Sequence, residues 1–231
     1  MKDNGLLVQY FNANTPADQT LWAKAAKDAV TLKKLGATAV WFPPATKGAA
    51  GKEDMGYAPY DLYDLGEFNQ KGSVGTRYGT KKEYLEAIDA MKAQGINVYA
   101  DIAVRQKLGA DSVEKVTAAD FNAKDIPQMI GNKKIVGALS KFTFAGRRSK
   151  YSKFKWNWNH FAGIDWQQDD FKKRVCELSG MTEEEAEKKY KLSKYDYIIG
   201  SELDLYNQEV YDELMAWAKW YEDVTGVDGF R

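Results

Sequence analysis

The side chains able to do chemistry in this chain are restricted in kind. One histidine, His160, and one cysteine, Cys176, exclude Cys/His zinc sites by count and leave no internal disulfide. A Ser-His-Asp triad would have to use His160, and a lone histidine with no matched partners reads as a structural residue. The 33 Lys+Arg balance the 33 Asp+Glu, a formal charge of zero. Zero charge removes the long-range attraction that nucleic acid or an anionic membrane would exploit, so neither is an expected partner and a neutral substrate fits better.

The elements that must position these groups follow from periodicity. The 231 residues are 44% hydrophobic and 13% aromatic, an ordinary globular composition with room for one large domain or one domain carrying a sizeable insertion. Leu6 to Phe11 is a short apolar run suited to a buried strand. From about 18 to 35, Trp22, Ala25, Ala26, Ala29, Leu32 and Leu35 recur at helical spacing, and Gly36 sits where a C′ glycine would. Ala37 to Phe42 reads as a second strand, closed by Pro43-Pro44.

Thr80-Lys81-Lys82-Glu83 is a capping-box pattern opening a helix that Gly95 ends, and Ile96 to Val104 reads as a third strand. Strands alternating with amphipathic helices predict a parallel sheet of βαβ units. Residues 105 to 200 break that rhythm and predict an insertion of mixed structure, with a helix near 168 to 179 and a second capping box at Thr182 to Glu185. A helix from about 207 to 223 and a strand start at Val227 to Arg231 resume it. Only three apolar residues, Leu6 to Val8, precede Gln9, too few for a secretory leader, and no stretch reaches the roughly 20 residues of a membrane span. The expected location is the cytoplasm, or the chain lacks its leader.

Several longer motifs carry a resemblance. They are Gln9-Tyr10-Phe11, Ala39-Val40-Trp41-Phe42-Pro43-Pro44-Ala45, the run from Gly56-Tyr57-Ala58-Pro59-Tyr60-Asp61 to Gly72, Tyr151 to Phe161, Lys194-Tyr195-Asp196-Tyr197, and Gly226-Val227-Asp228-Gly229-Phe230-Arg231. In order and spacing the chain resembles the bacterial liquefying α-amylases of glycoside hydrolase family 13. The resemblance implies the α/β class and the N-terminal half of a (β/α)8 TIM barrel, with an inserted domain B after the third strand. Residues 1–104 would be barrel, 105–200 domain B, and 201–231 the return to the barrel.

It also implies cleavage of α-1,4-glucan (starch, glycogen or maltodextrin) with retention. That reaction uses two carboxylates about 5 Å apart on loops at the C-terminal ends of strands. In the family the nucleophilic aspartate stands two residues beyond the arginine matched by Arg231, the last residue here. The chain alone is therefore expected to lack nucleophile and general acid and to be inactive. Asp101 and Arg231 resemble the strand-end pair that orients the nucleophile, with a plain structural ion pair as the alternative. Tyr57 matches a tyrosine that stacks on sugar, and Gln9 and Gln106 are the other expected substrate contacts.

The resemblance is imperfect at the third strand, where Arg105 and Gln106 stand in place of asparagine and histidine. Asp165, Asp196, Glu202 and Asp204 match positions of the family's calcium cluster, but Tyr206 replaces an acid. A fixed guanidinium bridges carboxylates by itself, so Arg105 is expected to replace the ion by pairing with Asp196 or Glu202, and no cofactor is expected. The alternative has Arg105 in solvent and the acids on a solvated loop. Trp156, Trp158, His160 and Phe161 read as the insertion's own core rather than a glucan groove. The rival to a glycosidase is a non-catalytic α-glucan-binding homologue. A third reading is self-association of a half barrel through its unpaired sheet edge.

Overall fold

The computed structural model describes residues 5–121, 129–167, 172–177 and 200–231. In chain order the elements are β1 (Leu7–Gln9), α1 (Leu21–Lys34), β2 (Ala39–Phe42), β3 (Lys47–Gly48), β4 (Pro59–Asp61), α2 (Lys81–Ala93), β5 (Asn97–Ala100) and β6 (Gln106–Lys107). There follow β7 (Ser112–Phe121), β8 (Met129–Lys141), β9 (Phe161–Gln167), β10 (Lys172–Glu177), β11 (Ser201–Leu203), α3 (Gln208–Thr225) and β12 (Gly229–Phe230). Two compact units result. The first comprises Met1–Val104, Ala145–Ser152 and Met215–Arg231, the second Arg105–Phe144 and Lys153–Leu214. Among the described residues no helix is long and apolar enough to cross a membrane.

The first unit is built on a parallel sheet of order β1-β2-β5-β12. Its strands show two different faces. Val40, Phe42, Val98 and Ala100 are fully buried, and the helices supply their cover: Trp22 of α1 packs against Phe42 and against Tyr84 of α2 at centroid distances of 5.3 and 4.7 Å. The hydroxyls of Tyr84 and Tyr221 meet at 2.8 Å, tying α2 to α3. On the opposite face Gln9, Trp41 and Tyr99 stand in register across three strands.

Local chemistry explains the helix ends. Thr80 and Glu83 form the expected reciprocal cap, with the Thr80 amide donating to the Glu83 carboxylate at 2.8 Å. Asp18 accepts from the Thr20 amide and hydroxyl, so α1 starts at Leu21, three residues later than periodicity alone suggests.

Long segments of the first unit without regular structure are organised by buried charge. The Lys47 side chain is fully buried; its ammonium donates to the carbonyls of Ser73 at 2.8 Å and Val74 at 2.6 Å and lies 3.6 Å from Asp64. Burial pushes the Lys47 pKa down and that of Asp64 up, each opposed by the partner's charge. Asp64 also accepts from the amides of Gly66 and Glu67. Gln70 donates to both Asp61 and Asp64, at 2.9 and 3.0 Å. Arg147 closes the network by donating to Asp61 at 2.8 Å and to the carbonyls of Lys150 and Ser152. The preceding Gly146 admits no side chain, since a Cβ there would lie 2.4 Å from the Asn69 carbonyl oxygen.

A second anchor is Glu67, which accepts from Lys81, Lys150 and Tyr151. Burial works to raise the Glu67 pKa, but these donors outweigh it and hold it at about 2.

The second unit is a six-stranded sheet of order β10-β7-β8-β9-β11-β6 with antiparallel ladders. Phe142, Phe144, Trp156, His160 and Phe161 are buried in it, while Trp158 is exposed. The helix expected near 168 to 179 is corrected: Lys172–Glu177 is a strand, paired with β7 and β9. A six-residue segment is too short for periodicity to separate helix from strand, and two neighbouring strands supply the ladder that decides it. Residues 182 to 185, the expected second capping box, lie outside the described residues.

Removing one partner of a buried ion pair strands the other. Arg147→Met is therefore expected to cost about 3–5 kcal/mol in urea denaturation, and adding Asp61→Asn to recover part of the loss.

Candidate functional site

Three of the residues singled out in the sequence meet at the C-terminal ends of β5 and β12. Asp101 follows β5 directly, and its amide continues the ladder to Phe42. Its carboxylate is fully buried. One oxygen accepts from the Tyr57 hydroxyl at 2.6 Å, and the other lies 3.3 Å from Nη1 of Arg231. Arg231 is held by the main chain on both sides, donating its amide to Ala100 and accepting from Ile102.

Tyr57 reaches this point because of the turn before it. Gly56 has φ of +92°, and a Cβ there would lie 2.7 Å from the Pro44 carbonyl oxygen, so the turn needs glycine. Asp54 accepts from the Gly56 amide at 2.7 Å. Burial, then the hydrogen bond and charge of Asp101, raise the Tyr57 pKa well above that of an ordinary phenol. Tyr57 is thus a neutral donor to an anionic acceptor, and part of its ring remains exposed.

Trp41 completes the arrangement and is the residue that sequence reasoning passed over. The Arg231 guanidinium lies 4.6 Å from its ring centroid, a cation–π contact, and Phe11 meets the same ring edge-on at 5.2 Å. The available signal was alternation: in Ala39-Val40-Trp41-Phe42, Val40 and Phe42 are buried, so Trp41 points to the opposite face. Gln9 lies in register with Trp41 and donates its side-chain amide to the Phe11 carbonyl at 3.0 Å.

The other expected residues belong to the second unit. Gln106 on β6 is paired with Glu202 on β11. Arg105 directs Nε and Nη2 to one oxygen of Glu202, at 2.7 and 2.5 Å. Asp165 lies on β9 with its amide donating to Gly200, and Asp204 accepts from the Tyr206 amide at 3.1 Å. Asp196 lies outside the described residues. Calcium needs six to eight oxygens around one point. Among the described residues no three His, Cys, Asp or Glu side chains converge to hold a metal ion, and a guanidinium occupies Glu202.

Against known proteins, no family model matches the chain. It is 46% identical to an α-amylase of Geobacillus stearothermophilus over 229 residues, covering 99% of this chain and 42% of that protein. It is 38% identical to a cytoplasmic α-amylase of Escherichia coli K12 over 237 residues, covering 99% and 47% respectively. The chain thus spans under half the length of these curated relatives. Among solved structures, a MutB variant from crystals soaked with trehalulose matches with a TM-score of 0.53 at 15% identity, covering 98% of this chain and 34% of that one. That likeness concerns the fold.

Without the Asp101 charge, Tyr57 should ionise closer to an ordinary tyrosine. A phenolate absorbance titration of Asp101→Asn is expected to show one tyrosine moving to lower pH, and a further Tyr57→Phe change to remove that step.

Over nearly its whole length, then, the chain is similar in sequence to bacterial α-amylases of glycoside hydrolase family 13 and similar in fold to the N-terminal part of a TIM barrel.

Proposed function

We propose that this chain supplies one half of a retaining α-glucan hydrolase barrel, with residues 105–200 as the inserted domain B and 201–231 returning to the barrel. The observation that carries the reading is the convergence of Tyr57, Asp101 and Arg231 at the strand ends, the end of a barrel where substrates are handled. In this reading the Tyr57 ring covers the apolar face of a glucose unit and Gln9 offers hydrogen bonds to its hydroxyls; Gln106, in the second unit, is proposed separately as a substrate contact. Asp101 and Arg231 act as positioning residues. No residue of the chain is assigned as nucleophile or general acid, so the chain by itself binds glucan without cleaving it. The proposed location is cytoplasmic, as the name of the Escherichia coli relative describes that protein. β1 and β12 form the two ends of the sheet order, which supports self-association as a further expectation.

A non-catalytic glucan-binding role is the second reading, favoured by Arg105 being engaged with Glu202. The same pair leads us to propose that Arg105 stands in for calcium.

Reducing-sugar release from soluble starch separates the readings. The 231-residue chain is expected to release none. Release by the full-length protein supports the hydrolase, its absence supports the binding homologue, and hydrolysis by the chain itself would show the assignment of the acidic pair to be wrong. Thermal unfolding is expected to be the same in calcium and in chelator. A clear rise with calcium would place a cation among these acids.

A further inference from the structure

The turn that presents Tyr57 is held from behind by two side chains that the glucan reading leaves unused. Arg77 is half-buried and spreads its guanidinium over two separate stretches of the first unit. Nε and Nη2 donate to the Thr15 carbonyl at 2.9 and 2.6 Å, and Nη1 donates to the Glu53 carbonyl at 2.9 Å. Tyr78 is fully buried and donates its hydroxyl to the Met55 carbonyl at 3.0 Å. Glu53 ends the 3₁₀ turn Gly51–Glu53, and Met55 stands two residues before Tyr57. The last carbonyls of such a turn have no partner within it; Arg77 and Tyr78 supply one each.

The brace is anchored in its own right. The Gln19 amide donates to the Arg77 carbonyl and the Trp22 amide to that of Tyr78, each at 3.1 Å, so the start of α1 fixes the backbone from which both side chains reach. Gly79 follows with φ of +138°, and a Cβ there would lie 2.7 Å from the Trp22 ring, which keeps the position for glycine. Thr15, buried in the loop after β1, accepts at its hydroxyl from the Asn12 amide at 2.9 Å. One guanidinium therefore ties that loop to the turn between β3 and β4. Its N–H groups lie in one rigid plane, so the spacing of the Thr15 and Glu53 carbonyls is set by covalent geometry.

We propose that Arg77, with Tyr78 beside it, is a positioning residue for Tyr57, an inference that rests on the glucan reading above for what Tyr57 then meets. The bond from the Tyr57 hydroxyl to Asp101 holds only the tip of the side chain. Where the turn stands, and with it the tilt of the exposed part of the ring toward a sugar, is set by the grip on the Glu53 and Met55 carbonyls. Lysine at position 77 would keep the charge but lose the fork, so it does not replace arginine here.

The test uses NMR on the full 231-residue chain with isotopically labelled tyrosine, the Tyr57 ring signal being identified by Tyr57→Phe and maltoheptaose serving as the probe. In Arg77→Met the ligand-free Tyr57 signal is expected to shift and the maltoheptaose Kd to rise about tenfold, the effect of losing one charge-assisted hydrogen bond. The signals of Tyr84 and Tyr221, which pair in the core, should stay in place. Arg77→Lys should follow Arg77→Met, and Tyr78→Phe should move the same signal by less. A Tyr57 signal unmoved in Arg77→Met, one that moves only together with Tyr84 and Tyr221, or a wild-type signal in Arg77→Lys would overturn the positioning role. An unchanged Kd beside a shifted signal would overturn its consequence for binding. Should Arg77→Met fail to fold, Arg77→Lys and Tyr78→Phe decide by the same signals. If maltoheptaose leaves the Tyr57 signal of the unsubstituted chain where it is, the glucan reading fails, while the ligand-free shifts still establish what holds Tyr57.

Discussion

Two buried cations in the first unit set the terms for its irregular segments. Lys47 and Arg147 are withdrawn from water, and a cation there persists only if carboxylates and carbonyls replace its hydration. Asp64 and Asp61 face them, Gln70 bridges the two acids, and carbonyls of Ser73, Val74, Lys150 and Ser152 take the remaining donors. The bonds of Lys47 to Ser73 and Val74 and of Arg147 to Asp61 join stretches distant in the chain, so losing one member strands another. The run beginning at Tyr57, which carries the candidate site, leads directly into Asp61 and Asp64.

Asp101 plays the corresponding part at the site. Its buried carboxylate takes a neutral phenol on one oxygen and a guanidinium on the other, and the guanidinium lies over the Trp41 ring. The Tyr57 hydroxyl and the Arg231 guanidinium are thereby held by the two oxygens of one carboxylate. In the second unit the same economy of charge is met differently. Arg105 pairs with Glu202 of β11.

Much of the first unit was legible in local sequence because its causes are local. The Thr80/Glu83 cap and the C′ positions of Gly36 and Gly95, at φ of +88° and +66°, depend on neighbours within one helical turn. Alternation of strand and helix patterns foretold the parallel sheet. Where the signal had to come from elsewhere, reading failed or fell short. Ile96 to Val104 is continuously suited to a strand, yet β5 covers Asn97–Ala100, where neighbouring strands pair with it. Lys172–Glu177 turned from helix to strand for the same reason.

The candidate site divides along that line. The family resemblance singled out Tyr57, Asp101 and Arg231, but Asp101 and Arg231 are 130 residues apart and Arg147 and Asp61 are 86 apart. Sequence by itself determined the caps, the glycine turns, the strand alternation and the kinds of side chain available. Tertiary structure alone decided which charges are buried together and that Trp41 lies beneath Arg231, whereas the Arg105–Glu202 pair is one of the two that the resemblance led us to expect. Those pairings come from strands and loops distant in the chain, and a charge's partner is set by which groups folding brings within hydrogen-bond reach, a distance that no local pattern encodes.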